Sequence, residues 1–147
     1  MINYKEIAPT DTYSLRQSIL RPHQSLEEMV YEFDDHPKSL HMGAFIDQSL
    51  EGIISLYPQN RDLDLSNQEW RVRGMATSQN LRGQGAGKKL LNFAVTYAQR
   101  QGAVLVWCVA RASAEGFYRK YNFTPTGSEF EVEGFGPHWI YVKTFAL

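Results

Sequence analysis

The chain has 147 residues, 43% of them hydrophobic, and a formal net charge of −1. That length and composition suit one domain over residues 1–147 with a sizeable core, while the near-neutral charge argues against a nucleic-acid binder held by phosphate contacts. The single cysteine, Cys108, excludes an intramolecular disulfide and fits a reducing, cytoplasmic setting, and the longest apolar run, residues 103–110, is too short to cross a membrane.

Residues 2–7 read as a short strand; Asn3, Lys5 and Glu6 leave no apolar centre for a signal peptide. Pro9 with Thr10 or Asp11 opens a helix through about Leu20, and Pro22 stops it. Residues 25–38 are ambiguous: Leu26-Glu27-Glu28-Met29 suits a helix, and Asp34-Asp35-His36-Pro37 a loop. Over residues 39–46, Leu40, Met42, Ala44 and Ile46 alternate onto one face, which predicts a strand. Residues 47–51 make a turn and residues 52–57 return as the hairpin partner. Residues 58–67 form a polar loop, and a strand follows over residues 68–77.

The next helix, residues 86–101, places Leu91, Ala94, Val95 and Ala98 on one face, with Leu90, Phe93 and Tyr97 beside it. Gly102 is its C-terminal cap. Residues 103–110 lack alternation, as expected of a strand buried on both faces. Ser113 can cap a further short helix, and Asn122 can take the left-handed position that ends it. Residues 127–133 and 138–145 close the chain as two strands around Gly134-Phe135-Gly136-Pro137. Strands interleaved with helices, and no internal repeat, predict an α+β (α/β-type) single domain with a mixed central sheet flanked by helices.

Chemistry concentrates in Arg82-Gly83-Gln84-Gly85-Ala86-Gly87-Lys88-Lys89, between the strand at residues 68–77 and an amphipathic helix. Glycine lets backbone approach a ligand closely. A helix start adds unpaired N–H groups and the positive end of a dipole, so the segment suits a phosphate. Lys88 and Lys89 oppose that dipole unless an anion binds there. A P-loop needs a longer glycine spacing and a hydroxyl where Lys89 stands. A dinucleotide fingerprint needs G-x-G-x-x-G at a first strand, which this spacing lacks.

The segment does match Q/R-x-x-G-x-G/A of the GNAT superfamily of N-acetyltransferases, which the chain resembles. Ala114-Glu115-Gly116-Phe117-Tyr118-Arg119-Lys120-Tyr121-Asn122-Phe123 is similar to the family's A-x-x-F-Y-x-x-x-G-F segment. The likeness covers about residues 69–123; before that, only the order of strands and helices agrees.

The resemblance implies the GNAT fold and transfer of an acetyl group from acetyl-CoA to an amine by direct attack in a ternary complex. The acceptor is a small-molecule or peptide amine, with no nucleic acid, membrane or metal involved, and a homodimer is allowed. A non-catalytic CoA-binding domain on the same fold is the alternative. The cofactor would lie on Met75, Ala76 and Thr77 through its pantetheine arm. Its pyrophosphate would sit on Arg82, Gly83, Gln84, Gly85, Ala86, Gly87 and Lys88. The family kinks this strand; Gly74 is the place for such a bulge, or else makes room for packing.

By the same resemblance Tyr118 would donate a proton to the CoA sulfur. Glu69 would be the base, with His41, His138 or a water chain as further candidates. Two positions depart from the pattern. Arg111 stands where many members have Asn, which leaves it a contact to the cofactor by charge. Asn122 replaces a glycine and tolerates the same left-handed backbone. Cys108, in an apolar run without a charged sequence neighbour, reads as structural rather than nucleophilic.

Overall fold

The computed structural model describes residues 1–145. Seven strands form one mixed sheet in the order β1-β2-β3-β4-β5-β7-β6. They are β1 (Ile2–Glu6), β2 (Leu40–Ile46), β3 (Ser49–Tyr57), β4 (Glu69–Thr77), β5 (Leu105–Arg111), β6 (Thr124–Val132) and β7 (Gly136–Thr144). The helices are α1 (Tyr13–Leu15), α2 (Ala86–Arg100) and α3 (Glu115–Lys120). Two compact units divide the chain: Met1–Tyr57 with Val72–Tyr97, and Pro58–Arg71 with the chain from Ala98 onward. No helix among the described residues is long and apolar enough to cross a membrane.

In the first unit β1 pairs antiparallel with β2, from Ile2↔Ile46 to Glu6↔Met42, and β2 pairs antiparallel with β3. The hairpin turn is tighter than the sequence suggests. Asp47 adopts φ 54, which an aspartate tolerates, and β3 begins at Ser49 rather than residue 52. Ser49 and Glu51 looked like turn residues because they are polar, but Glu51 is engaged in hydrogen bonds described below. β2 is also more buried than its alternation implies: His41 and Gly43 are covered along with Leu40, Met42 and Ala44. A Cβ on Gly43 would lie 2.7 Å from Leu50. The core holds Ile53, Ile54 and Leu56 of β3 and Leu90, Leu91 and Ala94 of α2. At Gly52 the helix side comes so close that a Cβ would lie 2.9 Å from Leu81 and 3.3 Å from Leu90.

The expected helix over residues 9–20 is composite. A 3₁₀ turn (Pro9–Thr12) leads into α1, and a π segment (Arg16–Leu20) follows. The wide turn closes where the Arg21 amide donates to the Arg16 carbonyl at 3.0 Å. Such segments often mark functional places, and this one begins at a fully buried arginine, Arg16. The ambiguous stretch contains one 3₁₀ turn, Leu26–Met29, and then irregular turns.

In the second unit β4 pairs in parallel with β5 from Glu69↔Leu105 to Arg71↔Trp107. β5 pairs antiparallel with β7, and β7 with β6. Leu105, Trp107 and Val142 form a core cluster with Val109 and Ile140 against it. The Trp107 indole N–H donates to the Gln59 carbonyl at 2.7 Å, so the ring is buried with its polar end satisfied. Gly102 ends α2 at φ 88, and Asn122 follows α3 at φ 68, both left-handed as expected. Ser113 does not cap α3: a 3₁₀ turn, Ala112–Ala114, precedes that helix, and Ala114 caps it without a side-chain bond. β6 starts at Thr124 rather than residue 127. Pro125, Gly127 and a register shift between Thr126 and Phe130 hide the strand period, as an outer strand tolerates.

Candidate functional site

The glycine-rich loop is anchored before it begins. Within the first unit, the Ser78 amide donates to the Glu51 carbonyl at 2.8 Å, and its hydroxyl donates to the Glu51 carboxylate at 2.6 Å. The Asn80 side-chain amide adds a bond to the same carboxylate at 3.1 Å. Hydrogen bonds from Ser49, Ser78 and Asn80 hold the Glu51 carboxyl below its ordinary range. No sequence motif flagged Glu51; two of its partners, Ser78 and Asn80, come from a turn 27 and 29 positions along the chain. Leu81 and Ala86 are buried at the two ends of the loop, and the Gln84 side chain donates to the Asn80 carbonyl at 2.8 Å.

Between these anchors Gly83 and Gly85 both adopt φ 76, and a Cβ on either would meet no atom within 4 Å. The backbone is therefore bare and faces open space. The Lys89 amide donates to the Gly85 carbonyl at 3.1 Å, closing the first turn of α2. The amides of Ala86, Gly87 and Lys88 precede the first intrahelical bond and have no helical acceptor. That turn contains no acidic residue. Among the described residues no carboxylate lies within ion-pair distance of Arg82, Lys88 or Lys89. Open backbone donors, a helix dipole and uncompensated cations fit a pyrophosphate. Gly85→Val is expected to raise the Kd for CoA about ten- to a hundredfold, the loss of one or two charge-assisted hydrogen bonds. Calorimetric titration checks this; CoA binding as tight as the parent's would place the cradle elsewhere.

Upstream of the loop, Met75, Ala76 and Thr77 end β4, an outer strand within this unit. Gly74 adopts φ 66, and a Cβ there would lie 3.3 Å from the Tyr31 ring and 3.4 Å from Arg16 Nε. Gly74 thus leaves the extended backbone of the strand, and its missing side chain makes room for close packing.

Behind it lies a buried polar network that the sequence did not reveal. Arg16 donates through both terminal nitrogens to Asp34, at 2.8 and 2.9 Å, and also to the Met29 carbonyl, Ser55 and Tyr57. Asp34 further accepts from the Tyr57 hydroxyl and the Tyr31 amide. Burial alone would raise the Asp34 pKa, but the bonds from Arg16 and Tyr57 outweigh it and lower it. His41 belongs here: Nε2 lies 3.0 Å from the Asp34 carbonyl and Nδ1 2.7 Å from Ser55 Oγ. A carbonyl only accepts, so the proton sits on Nε2 and the Ser55 hydroxyl donates to Nδ1. Burial holds the His41 pKa below its ordinary value. Both ring nitrogens are committed, which makes His41 a structural residue.

In the second unit Tyr118 projects from α3 and is buried. Its ring stacks on Tyr141 at 5.2 Å and meets Phe117 and Phe123 edge-on. Its hydroxyl interacts with the Cys108 thiol. Burial, then Cys108, push the phenol's pKa above its ordinary value, so it carries a proton throughout the neutral range. Cys108 does have a charged neighbour, contrary to the reading of its sequence surroundings: Arg71 favours its thiolate. Burial wins and pushes the thiol up to about 12, so Cys108 is no nucleophile. Arg111 is exposed at the end of β5, with its guanidinium 5.8 Å from the Phe135 ring.

Glu69 is an ion-paired carboxylate. Its Oε1 accepts from the Arg61 amide at 3.1 Å and from Arg61 Nε at 3.0 Å. His138 faces Arg111 across β5 and β7, and its Nδ1 donates to the Gly136 carbonyl at 2.8 Å. Among the described residues no group of three or more His, Cys, Asp or Glu is arranged to hold a metal ion.

A family model described as the acetyltransferase (GNAT) family matches residues 9–123. The chain is 39% identical over 144 residues to a protein of Bacillus subtilis (strain 168) named as an uncharacterized N-acetyltransferase, YitI, covering 98% of this chain and 97% of the other. Its fold is similar to that of Ard1 from Thermoplasma volcanium, with a TM-score of 0.79, 19% identity and 99% of each chain covered. It is also similar to an aminoglycoside 6'-N-acetyltransferase complexed with coenzyme A, at a TM-score of 0.76, 15% identity and coverage of 97% and 96%. With glycine loop, fold and relatives in agreement, the chain belongs to the GNAT family of acetyltransferases and is an acyltransferase of the N-acetyltransferase type.

Proposed function

We propose that this enzyme transfers the acetyl group of acetyl-CoA directly to an amine. The observation that carries this reading is the bare loop at Gly83 and Gly85, which opens α2 beside cations that have no carboxylate partner among the described residues. In this reading Gly83, Gln84, Gly85, Ala86, Gly87 and Lys88 hold the pyrophosphate through backbone N–H groups, and Arg82 adds charge. Met75, Ala76 and Thr77 bind the pantetheine arm as a further strand would. Arg111 contacts the cofactor by charge.

The amine nitrogen attacks the thioester carbonyl, the C–N bond forms and the C–S bond breaks. The nitrogen gives up a proton and the leaving sulfur takes one. Tyr118 supplies the sulfur's proton, a role that suits a hydroxyl held protonated by its surroundings. Glu69 accepts the amine's proton, directly or through water, and loosens its ion pair with Arg61 as it does so. Acceptors are small-molecule or peptide amines, and the setting is the cytoplasm, where acetyl-CoA and a free Cys108 thiol coexist.

Acetyl-CoA at a hundred times its Kd should stabilise the fold by about 2.7 kcal/mol, raising Tm by roughly 5–10 °C. A thermal shift with ATP and none with acetyl-CoA would refute the assignment.

A further inference from the structure

We infer that the acceptor amine also carries an acidic oxoanion, a carboxylate or a phosphate, and that Arg73 binds it over the Tyr31 ring. The inference rests on the acetyl-transfer reading and extends it to the acceptor's chemical class. All of its residues lie in the first unit.

Two guanidiniums address one ring: Arg16 lies 4.0 Å and Arg73 3.9 Å from the centroid of Tyr31. The carboxylate that pairs with Arg16, Asp34, is fully spent. Its Oδ1 accepts from Arg16 and Tyr57, and its Oδ2 from Arg16 and the Tyr31 amide. Among the described residues no carboxylate lies within ion-pair distance of Arg73. Arg73 is therefore a half-buried guanidinium without an ion-pair partner among the described residues.

A second observation points the same way. Arg16 Nε–H is buried without a hydrogen-bond partner among the described residues, and it sits beside Gly74, the residue after Arg73. A buried donor without a partner is costly and rare. The left-handed Gly74 puts no side chain of its own next to that donor, in a space bordered by the Tyr31 ring. Strand irregularities of this kind re-aim adjacent side chains near functional sites. An arginine stacked on an aromatic ring, with its fork open, suits a planar or tetrahedral oxoanion.

The test compares matched acceptors under saturating acetyl-CoA: glycine against glycinamide, β-alanine against β-alaninamide, and phosphoethanolamine against ethanolamine. The acidic member should have the higher kcat/KM, by about ten- to a hundredfold. Arg73→Gln should shrink that ratio towards one by raising KM for the acidic member, and Arg73→Lys should restore part of it. The carboxylate and phosphate pairs report which oxoanion is preferred. Neutral members equal to or better than acidic ones, or a ratio untouched by Arg73→Gln, would overturn the inference. If no pair is turned over, thermal shifts of the CoA-saturated protein decide. Extra stabilisation by acidic members that Arg73→Gln abolishes supports the inference, and its absence overturns it. The acetyl-CoA shift of the parent protein alone judges the acetyl-transfer reading, so the two can fail separately.

Discussion

Tyr118→Phe is expected to lower kcat by about 10²–10⁴-fold, the usual contribution of a positioned general acid. The substitution removes one hydroxyl and keeps the ring that stacks on Tyr141 and meets Phe117 and Phe123. Stability should therefore change by no more than about 1 kcal/mol, since only a weak interaction with the Cys108 thiol is lost. CoA binding should be retained. The pH profile adds a second readout. Tyr118 acts as an acid only while protonated, and its pKa is raised by burial and by Cys108. Loss of activity from its ionisation thus belongs above about pH 10, the ordinary tyrosine value. The parent should show no Tyr118-dependent limb between neutrality and that point, and the variant none at any pH. An unchanged kcat in steady-state assays would make Tyr118 a packing residue.

Asp34→Ala is expected to cost about 3–5 kcal/mol of stability, measured by urea denaturation. The carboxylate receives both terminal nitrogens of Arg16, the Tyr57 hydroxyl and the Tyr31 amide. Removing it strands the guanidinium of Arg16, which is 0% exposed. Such a loss is a large part of a typical domain's stability. The double variant Arg16→Met with Asp34→Leu should recover most of it, because no buried charge is then left unpaired. A loss below about 1 kcal/mol for Asp34→Ala would show that the network adds little. The same network sets the acid limb. His41 has a depressed pKa, so below about pH 6.5 the unfolded chain takes up a proton that the folded chain refuses, and stability falls. Asp34, also depressed, contributes fully above about pH 4, and its share is lost as the pH drops through its lower folded value.

These two variants mark what the sequence could and could not disclose. The glycine loop was legible because its physics is local: alternating glycines, an amphipathic helix and cations in its first turn lie within a few residues. The left-handed ends at Gly102 and Asn122 were legible for the same reason. Arg16 and Asp34 are 18 positions apart, and Arg16 and Tyr57 are 41 apart, so no window of sequence shows their meeting. The available hint was an arginine on the inward face of a helical stretch. Arg71 escaped notice beside Cys108 because a parallel pairing, from Glu69↔Leu105 to Arg71↔Trp107, brings those segments together. The helix over residues 9–20 was located but not typed, since residue propensities do not register a widened turn. Glu69 was chosen by position in the strand, and only the structure shows that Arg61 holds its carboxylate.

The central claim is acetyl transfer from acetyl-CoA to an amine, and one measurement addresses it directly. The protein is incubated with acetyl-CoA and a panel of acidic, neutral and peptide amines; free CoA is titrated as thiol, and acetylated amine is quantified by mass spectrometry. The account predicts that at least one amine yields CoA and N-acetylated product in equal amounts, at a rate that depends on both substrates. Binding of acetyl-CoA without amine-dependent release of CoA on any member would contradict it, and would leave a CoA-binding domain that does not transfer.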